Sequence, residues 1–433
     1  MKFFESCQAI NMKQSKESDL IEVNTVGVQE QIFLKSERLA GLNYEIRGAT
    51  YERALQLQRE GIKIIPLNIG NPAAFGFETP DEIVADIISN IRDAQGYIDS
   101  RGLFAARKAV MHYYQSIGVL KSTIEDIFIG NGVSELIMLC MQALLNPGDE
   151  VLVPAPDYPL WTTAVELCGG KTVHYVCDEQ SDWQPDLVDL ERKISSRTKG
   201  IVLINPNNPT GAVYSTETVE HIVTLAEKHK IILFADEIYD KILYDGAKHQ
   251  SVAPLVRDTL AITFGGLSKN YRAAGFRGGW MILTGAKARA KSYVEGLTLL
   301  ASLRLCANVI TQYGIQTALG GYQSINSLVE PSGRLYKQMD FCHKKLLEIP
   351  YMHCVRPKGA MYVFPHYEAD KFMFKSDEAM VHQLLEEEHI LMVNGSGFNI
   401  QQKNYFRIVF LPNVDTLSFA MGRIHHFFER NLK

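Results

Sequence analysis

The sequence has no C-x-x-C pair. Its seven cysteines, Cys7, Cys140, Cys168, Cys177, Cys306, Cys342 and Cys354, are odd in number and scattered, which argues against a disulfide scaffold or a zinc site. It also lacks an excess of charge of either sign. A net charge of -5 gives no electrostatic footprint for nucleic acid or an anionic membrane. Any small anionic substrate must then be held by a few placed cations, so single arginines matter. Long apolar runs are missing too: Leu136 to Leu145 ends in Asn146-Pro147-Gly148 and is too short to span a bilayer. The N-terminus meets Glu5 directly after Met-Lys-Phe-Phe. It therefore lacks the apolar run of a signal peptide, and nearby acidic residues argue against a transit peptide. The expectation is a cytoplasmic chain in a reducing compartment.

What is present is ordinary for a folded protein, with 46% hydrophobic and 21% charged residues. A chain of 433 residues should form two domains, or one large α/β unit with a smaller lobe. Residues 1–34 are polar and aperiodic and read as an extension. Tyr51 to Glu60 has the pattern of an amphipathic helix, and Lys63 to Asn68 reads as a short strand running into Gly70-Asn71-Pro72. Strand and helix then alternate through the middle of the chain. Apolar runs such as Ile201-Val202-Leu203-Ile204 and Ile231-Ile232-Leu233-Phe234 suit strands buried on both faces of a mostly parallel sheet. The expected fold is α/β, a doubly wound sheet, whose ligands bind beyond the carboxyl ends of strands. After about residue 320 the pattern changes to a helix from Arg334 to Glu348 and strand pieces at Met361 to Phe364 and Phe406 to Phe410. The expected divisions are 35–75 and 326–433 for a smaller α+β domain and 76–325 for the large one.

Three strand ends stand out. Leu260 to Thr263 runs into Gly265-Gly266-Leu267-Ser268-Lys269, where a lysine amine among small residues can attack a carbonyl; the competing reading is a surface lysine. Arg277, in Gly275-Phe276-Arg277-Gly278-Gly279, suits an anion clamp. Ile231 to Ala235 delivers Asp236 and, one helical turn on, Tyr239. That pair could hold a pyridine nitrogen and a ring oxygen, or be a helix cap with a packed tyrosine. Asn205-Pro206-Asn207-Asn208-Pro209-Thr210-Gly211 is stiff and turn-rich. Gly130-Asn131-Gly132-Val133-Ser134 opens an apolar helix from about Glu135, which makes either a phosphate cradle or a serine cap. Tyr158 could stack on a planar ring or fill core. Arg407 lies in an apolar strand, where a charge needs either a carboxylate ligand or an internal ion pair.

The ordered set Asn208-Pro209-Thr210-Gly211, Asp236-x-x-Tyr239, Ser268-Lys269, Arg277 and Arg407 resembles the fold type I aminotransferases of classes I and II, which use pyridoxal 5'-phosphate. The resemblance runs from about Ser36 to the C-terminus. It implies that Lys269 holds the cofactor as a Schiff base and carries the proton, that Asp236 holds the ring nitrogen, and that Tyr239 and Asn208 reach the ring oxygen. Tyr158 would stack on the ring, while Val133, Ser134, Ser268 and Arg277 would bind phosphate. Gly70, Asn208, Arg407 and Tyr44 would contact substrate. Tyr97, in Tyr97-x-x-x-x-Gly102, matches the tyrosine that reaches phosphate from a neighbouring subunit, which implies a homodimer with shared sites. One departure is Gly266, where many relatives carry serine.

Tyr44-Glu45-Ile46-Arg47-Gly48, Leu67-Asn68-Ile69-Gly70-Asn71-Pro72 and Ser302-Leu303-Arg304-Leu305-Cys306-Ala307-Asn308 are similar to the alanine aminotransferases, although Ala49 stands where proline is usual. The implied reaction is ping-pong exchange between alanine and 2-oxoglutarate, with Arg47 or Arg304 meeting the distal carboxylate. Other amino donors (aromatic, valine or methionine), a C–S lyase, and a cofactor-binding regulatory module are the alternatives. The last needs a DNA-reading domain, for which about 34 polar residues are too few.

Overall fold

The computed structural model describes residues 33–39, 42 and 48–433. Its centre is an eight-stranded sheet in the spatial order Ile127–Asn131, Gly278–Gly285, Leu260–Gly266, Ile232–Asp236, Thr198–Ile204, Glu150–Ala155, Lys171–Asp178 and Gln184–Pro185. The five strands from Leu260–Gly266 to Lys171–Asp178 run parallel. Gly278–Gly285 runs antiparallel to both neighbours, and Gln184–Pro185 is an antiparallel edge. This is the mostly parallel α/β sheet that the sequence implies.

The continuous apolar runs follow from burial on both faces. In Thr198–Ile204, Val202 and Ile204 pack with Trp161, Leu136 and Leu297 on one side. Ile201 and Leu203 pack with Val219 and Ile222 of the helix Thr216–His229 on the other. Period-2 alternation therefore serves two cores at once. Towards the antiparallel side, Ile127, Ile129, Trp280 and Ile282 meet Ala106, Val110 and Ile315.

A three-stranded sheet, Tyr362–Val363, Phe406–Val409 and Val393–Asn394, is covered by the helices Arg334–Leu347, Asp377–Glu388 and Val414–Arg430. The N-terminal segment joins it. Ile65 and Pro66 pair in parallel with Ile390 and Leu391, the helix Ala49–Arg59 packs Ala54 and Leu57 on Leu385, and Arg53 lies 2.6 Å from Glu386.

Helix Tyr51 to Glu60 is thus observed as Ala49–Arg59, and the Lys63 to Asn68 strand shrinks to Ile65–Pro66. Tyr239 sits in a turn rather than one turn along a helix. The helix expected from Glu135 begins at Val133. The six described cysteines are free thiols. Among the described residues no helix is long and apolar enough to cross a membrane.

Candidate active site

A cavity of about 720 Å³ opens at the carboxyl ends of the parallel strands and runs to the three-stranded sheet. Gly70, Val133, Ser134, Tyr158, Asn208, Asp236, Tyr239, Ser268, Lys269, Arg277 and Arg407 all line it. Residues up to 337 positions apart in the sequence thus meet in one space. Tyr97 does not line it; the ring is 81% exposed on the surface of its own chain. Tyr44 and Arg47 lie outside the described residues.

Lys269 stands in the turn after the strand Leu260–Gly266, and its Nζ donates to the Gly70 carbonyl at 2.6 Å. The same amine lies 5.8 Å from the centre of the Tyr239 ring. It is neither a surface lysine nor an ion-paired one in this arrangement, since its partner is a neutral carbonyl.

Asp236 ends the next strand and is 4% exposed. Burial pushes its carboxyl up to about 6. The indole Nε1 of Trp161 donates to Oδ2 at 3.2 Å, which favours the charged form. Only a long 3.4 Å contact links Oδ1 to the Ile238 N–H, so a helix cap does not account for the residue. Tyr239 donates to or accepts from Tyr362 at 2.6 Å. Burial, and then Tyr362, hold its hydroxyl far above the usual phenol range, so it stays neutral.

The phosphate-like corner is built by close backbone approach. Gly132, φ 80°, precedes the helix Val133–Leu144 and makes no side-chain cap. A Cβ there would collide with the Arg277 guanidinium. Glu135 reaches back instead, accepting from the Asn131 backbone N–H at 2.7 Å. Ser134 lines the cavity one residue inside the helix, and the cap position belongs to Gly132. Arg277 donates to the carbonyls of Ala274 at 2.8 Å and Asn131 at 3.2 Å. Helix N–H groups, two serines and a guanidinium are donors of the kind an anion site needs.

Gly266 has a packing reason. A Cβ there would stand 3.0 Å from the Gly278 carbonyl and 3.2 Å from Ile238 Cδ1, so a larger residue would fit only if these neighbours gave by a few tenths of an ångström.

Arg407 is 2% exposed. Its guanidinium donates to Asn208 Oδ1 at 2.8 Å and to the Asn68 carbonyl. It lies 4.4 Å from the Tyr362 ring centre and 4.7 Å from that of Phe398. These two acceptors and two ring faces help orient the charge at the cavity wall. Arg304 is used elsewhere: it donates to the Ile129 carbonyl at 2.8 Å, sits 3.4 Å from Glu135, and does not line the cavity.

Sequence reasoning missed Trp161, Tyr362 and Phe398. Trp161 had a readable signal, since a donor-only indole three residues after Tyr158 sits on the same side of a helix start. Tyr362 and Phe398 gave none, because apolar neighbours make them look like core.

The sequence pattern described as aminotransferase class I and II matches residues 62–421. The glutamate-pyruvate aminotransferase AlaA of Haemophilus influenzae is 57% identical over 397 residues, covering 92% of this chain and 98% of that protein. An alanine aminotransferase of Mycobacterium tuberculosis is 52% identical over 400 residues, covering 92% and 93%. The crystal structure of an aminotransferase from Escherichia coli superposes with a TM-score of 0.92 at 56% identity, covering 93% of this chain and all of that one. With this match across most of its length, and with the cavity those residues form, the chain belongs to the class I and II aminotransferases.

Proposed function

We propose that the protein exchanges an amino group between alanine and 2-oxoglutarate, giving pyruvate and glutamate, with pyridoxal 5'-phosphate as cofactor. The observation that carries this is one cavity holding an amine on Lys269, a buried carboxylate on Asp236 and an oriented guanidinium on Arg407. Likeness to glutamate-pyruvate and alanine aminotransferases supports the choice of substrates.

The residues fit the cofactor. Asp236 is a buried carboxylate turned to the cavity, and such a group needs a cationic partner, which a protonated pyridine nitrogen provides. The missing Cβ at Gly132 leaves room for Arg277 beside the helix N–H groups that receive phosphate. When bound, the cofactor supplies an electron sink for the pair left at the substrate Cα.

The chain's own residues do the rest. Lys269 Nζ takes the Cα proton and returns it. With the cofactor bound, Tyr158 would stack on its ring, and the neutral Tyr239 hydroxyl and the Asn208 amide would reach the ring oxygen. Ser134, Ser268, Arg277 and the Val133 N–H would hold its phosphate. Arg407 receives the α-carboxylate, with the Gly70 backbone beside it. Arg304 is committed to Glu135 and to carbonyls, which weighs against it as the ligand of glutamate's distal carboxylate; the other candidate, Arg47, lies outside the described residues.

We further infer a cytoplasmic homodimer in which Tyr97 serves the partner's site. Exposed Tyr97, Phe104, Leu299 and Leu303 support it, since the segments that carry them are tied together by Arg101 to Thr298 at 2.9 Å and Ser302 to Ser100 at 3.2 Å. The division at 35–75, 76–325 and 326–433 goes with this reading.

The test is a half-reaction screen that follows the cofactor spectrum while single amino acids are added. Alanine and glutamate should each bleach it, and a 2-oxo acid should restore it. Response to aromatic amino acids, valine or methionine alone would replace the substrate assignment. Release of pyruvate and ammonia from cysteine-type substrates without transfer would favour a C–S lyase.

A further inference from the structure

The loop between the strand Glu150–Ala155 and the helix Leu160–Leu167 carries a carboxylate that has no place in the cavity. Asp157 is fully buried, 0% exposed, beside the cavity-lining Tyr158. Its Oδ1 accepts from Asn399 Nδ2 at 2.7 Å and its Oδ2 from Thr162 Oγ1 at 2.7 Å. Its backbone N–H donates to the Phe398 carbonyl at 3.0 Å. Two of these bonds cross from the large sheet's connections to the turn Gly395–Phe398 and its Asn399 cap.

A second buried carboxylate holds the other side of that turn. Asp377, also 0% exposed, accepts from the Ser396 N–H at 2.6 Å. The turn is thus clamped between the two parts of the molecule. What it carries to Arg407 is the buried Phe398 ring, which stands behind the cavity wall 4.7 Å from the guanidinium. Burial of a carboxylate is costly unless its bonds are made, so Asp157 specifies the geometry of this junction rather than merely filling it.

We propose that Asp157 is a positioning residue for substrate binding: by holding Asn399 and the Phe398 backbone against the large sheet, it fixes one aromatic face of the carboxylate-binding Arg407. This rests on the reading of Arg407 as the carboxylate site.

The test titrates the holoenzyme by calorimetry with propionate, a carboxylate lacking the amino group, and measures KM and kcat for alanine in parallel. Asp157→Ala and Phe398→Leu should each raise the propionate Kd and the alanine KM about tenfold, from loss of a buried acceptor or ring contact. Their kcat should stay within about threefold, the mark of lost uniform binding. Asp157→Asn should recover most of the affinity, because it keeps an acceptor for Asn399 and lets the Thr162 hydroxyl turn to His174 Nε2, 3.0 Å away.

Unchanged propionate affinity in Asp157→Ala, with affinity lost in Arg407→Ala, overturns the positioning role and leaves the Arg407 reading intact. Unchanged affinity in Arg407→Ala overturns the reading beneath it. If Asp157→Ala fails to fold, unchanged affinity in Phe398→Leu overturns the role. A fall in kcat with KM unaltered would overturn it as well.

Discussion

The cavity has two walls built on different plans. The wall against the large sheet comes from the ends of neighbouring strands: Lys269 follows Leu260–Gly266, Asp236 closes Ile232–Asp236, and Asn208 follows Thr198–Ile204. Sheet pairing alone brings those three together. The wall proposed to grip the carboxylate is assembled from Asn208, Tyr362 and Arg407, with Asn68 and Phe398 behind Arg407, and no single element connects them. On the proposed roles, chemistry falls to the strand ends and recognition to the junction. Damage to the first wall should therefore strike kcat, and damage to the second should strike binding.

Breaking the strand-end wall gives the largest effect. Lys269→Ala should lower alanine–2-oxoglutarate exchange roughly 10⁴-fold or more, through loss of both nucleophile and proton carrier. A steady-state assay with normal exchange in this variant would sink the assignment.

The junction wall should behave differently. Arg407→Ala should raise KM for every amino acid by about a hundredfold, with a smaller change in kcat, as expected for a lost charged hydrogen bond to a carboxylate. If only dicarboxylic substrates suffer, the arginine roles are reversed.

Trp161→Phe sharpens the first wall without removing a reacting group. Its indole bonds to the charged form of Asp236, so its loss lets burial push that carboxyl above its present value of about 6. The acid limb of the pH–activity profile should move to higher pH, with about a threefold to tenfold loss on that limb. An unmoved limb would leave Trp161 as packing alone.

The smallest effect is one of stability. Burial pushes the Glu237 carboxyl up to about 8, although it accepts from the Val252 N–H at 2.9 Å. The nearby His249 is held low by burial and offers no compensating charge. A folded-state value above the unfolded one gives stability that is present at low pH and lost as pH rises through the folded value. Melting temperature should therefore fall between about pH 5 and about pH 8 in the native protein, level off above that, and fall less in Glu237→Gln. Parallel curves would show that another group sets the decline.

Much of the strand-end wall was legible beforehand, and the reason is local. A buried parallel strand is a short apolar run, and the residue after it must face the ligand edge, so Lys269, Asp236 and Asn208 could be read by position. The run Gly275 to Gly279 was legible only as an anion loop. That Gly278 also begins a strand inserted antiparallel between two others was not, because its pairing partners lie at Ile127–Asn131 and Leu260–Gly266. Arg304 shows the same limit from the other side: its sequence setting fits a carboxylate ligand as well as an ion pair, and only its distance to Glu135 separates them.

The sequence by itself determined the periodicity that makes a two-faced parallel sheet and the residues that stand at its strand ends, because both depend on neighbours along the chain. Tertiary structure alone decided that Asp157 and Asp377 clamp one turn from opposite sides and that Tyr362 and Phe398 flank Arg407. Those contacts join segments whose spacing in the chain carries no period, so only packing could bring them into register.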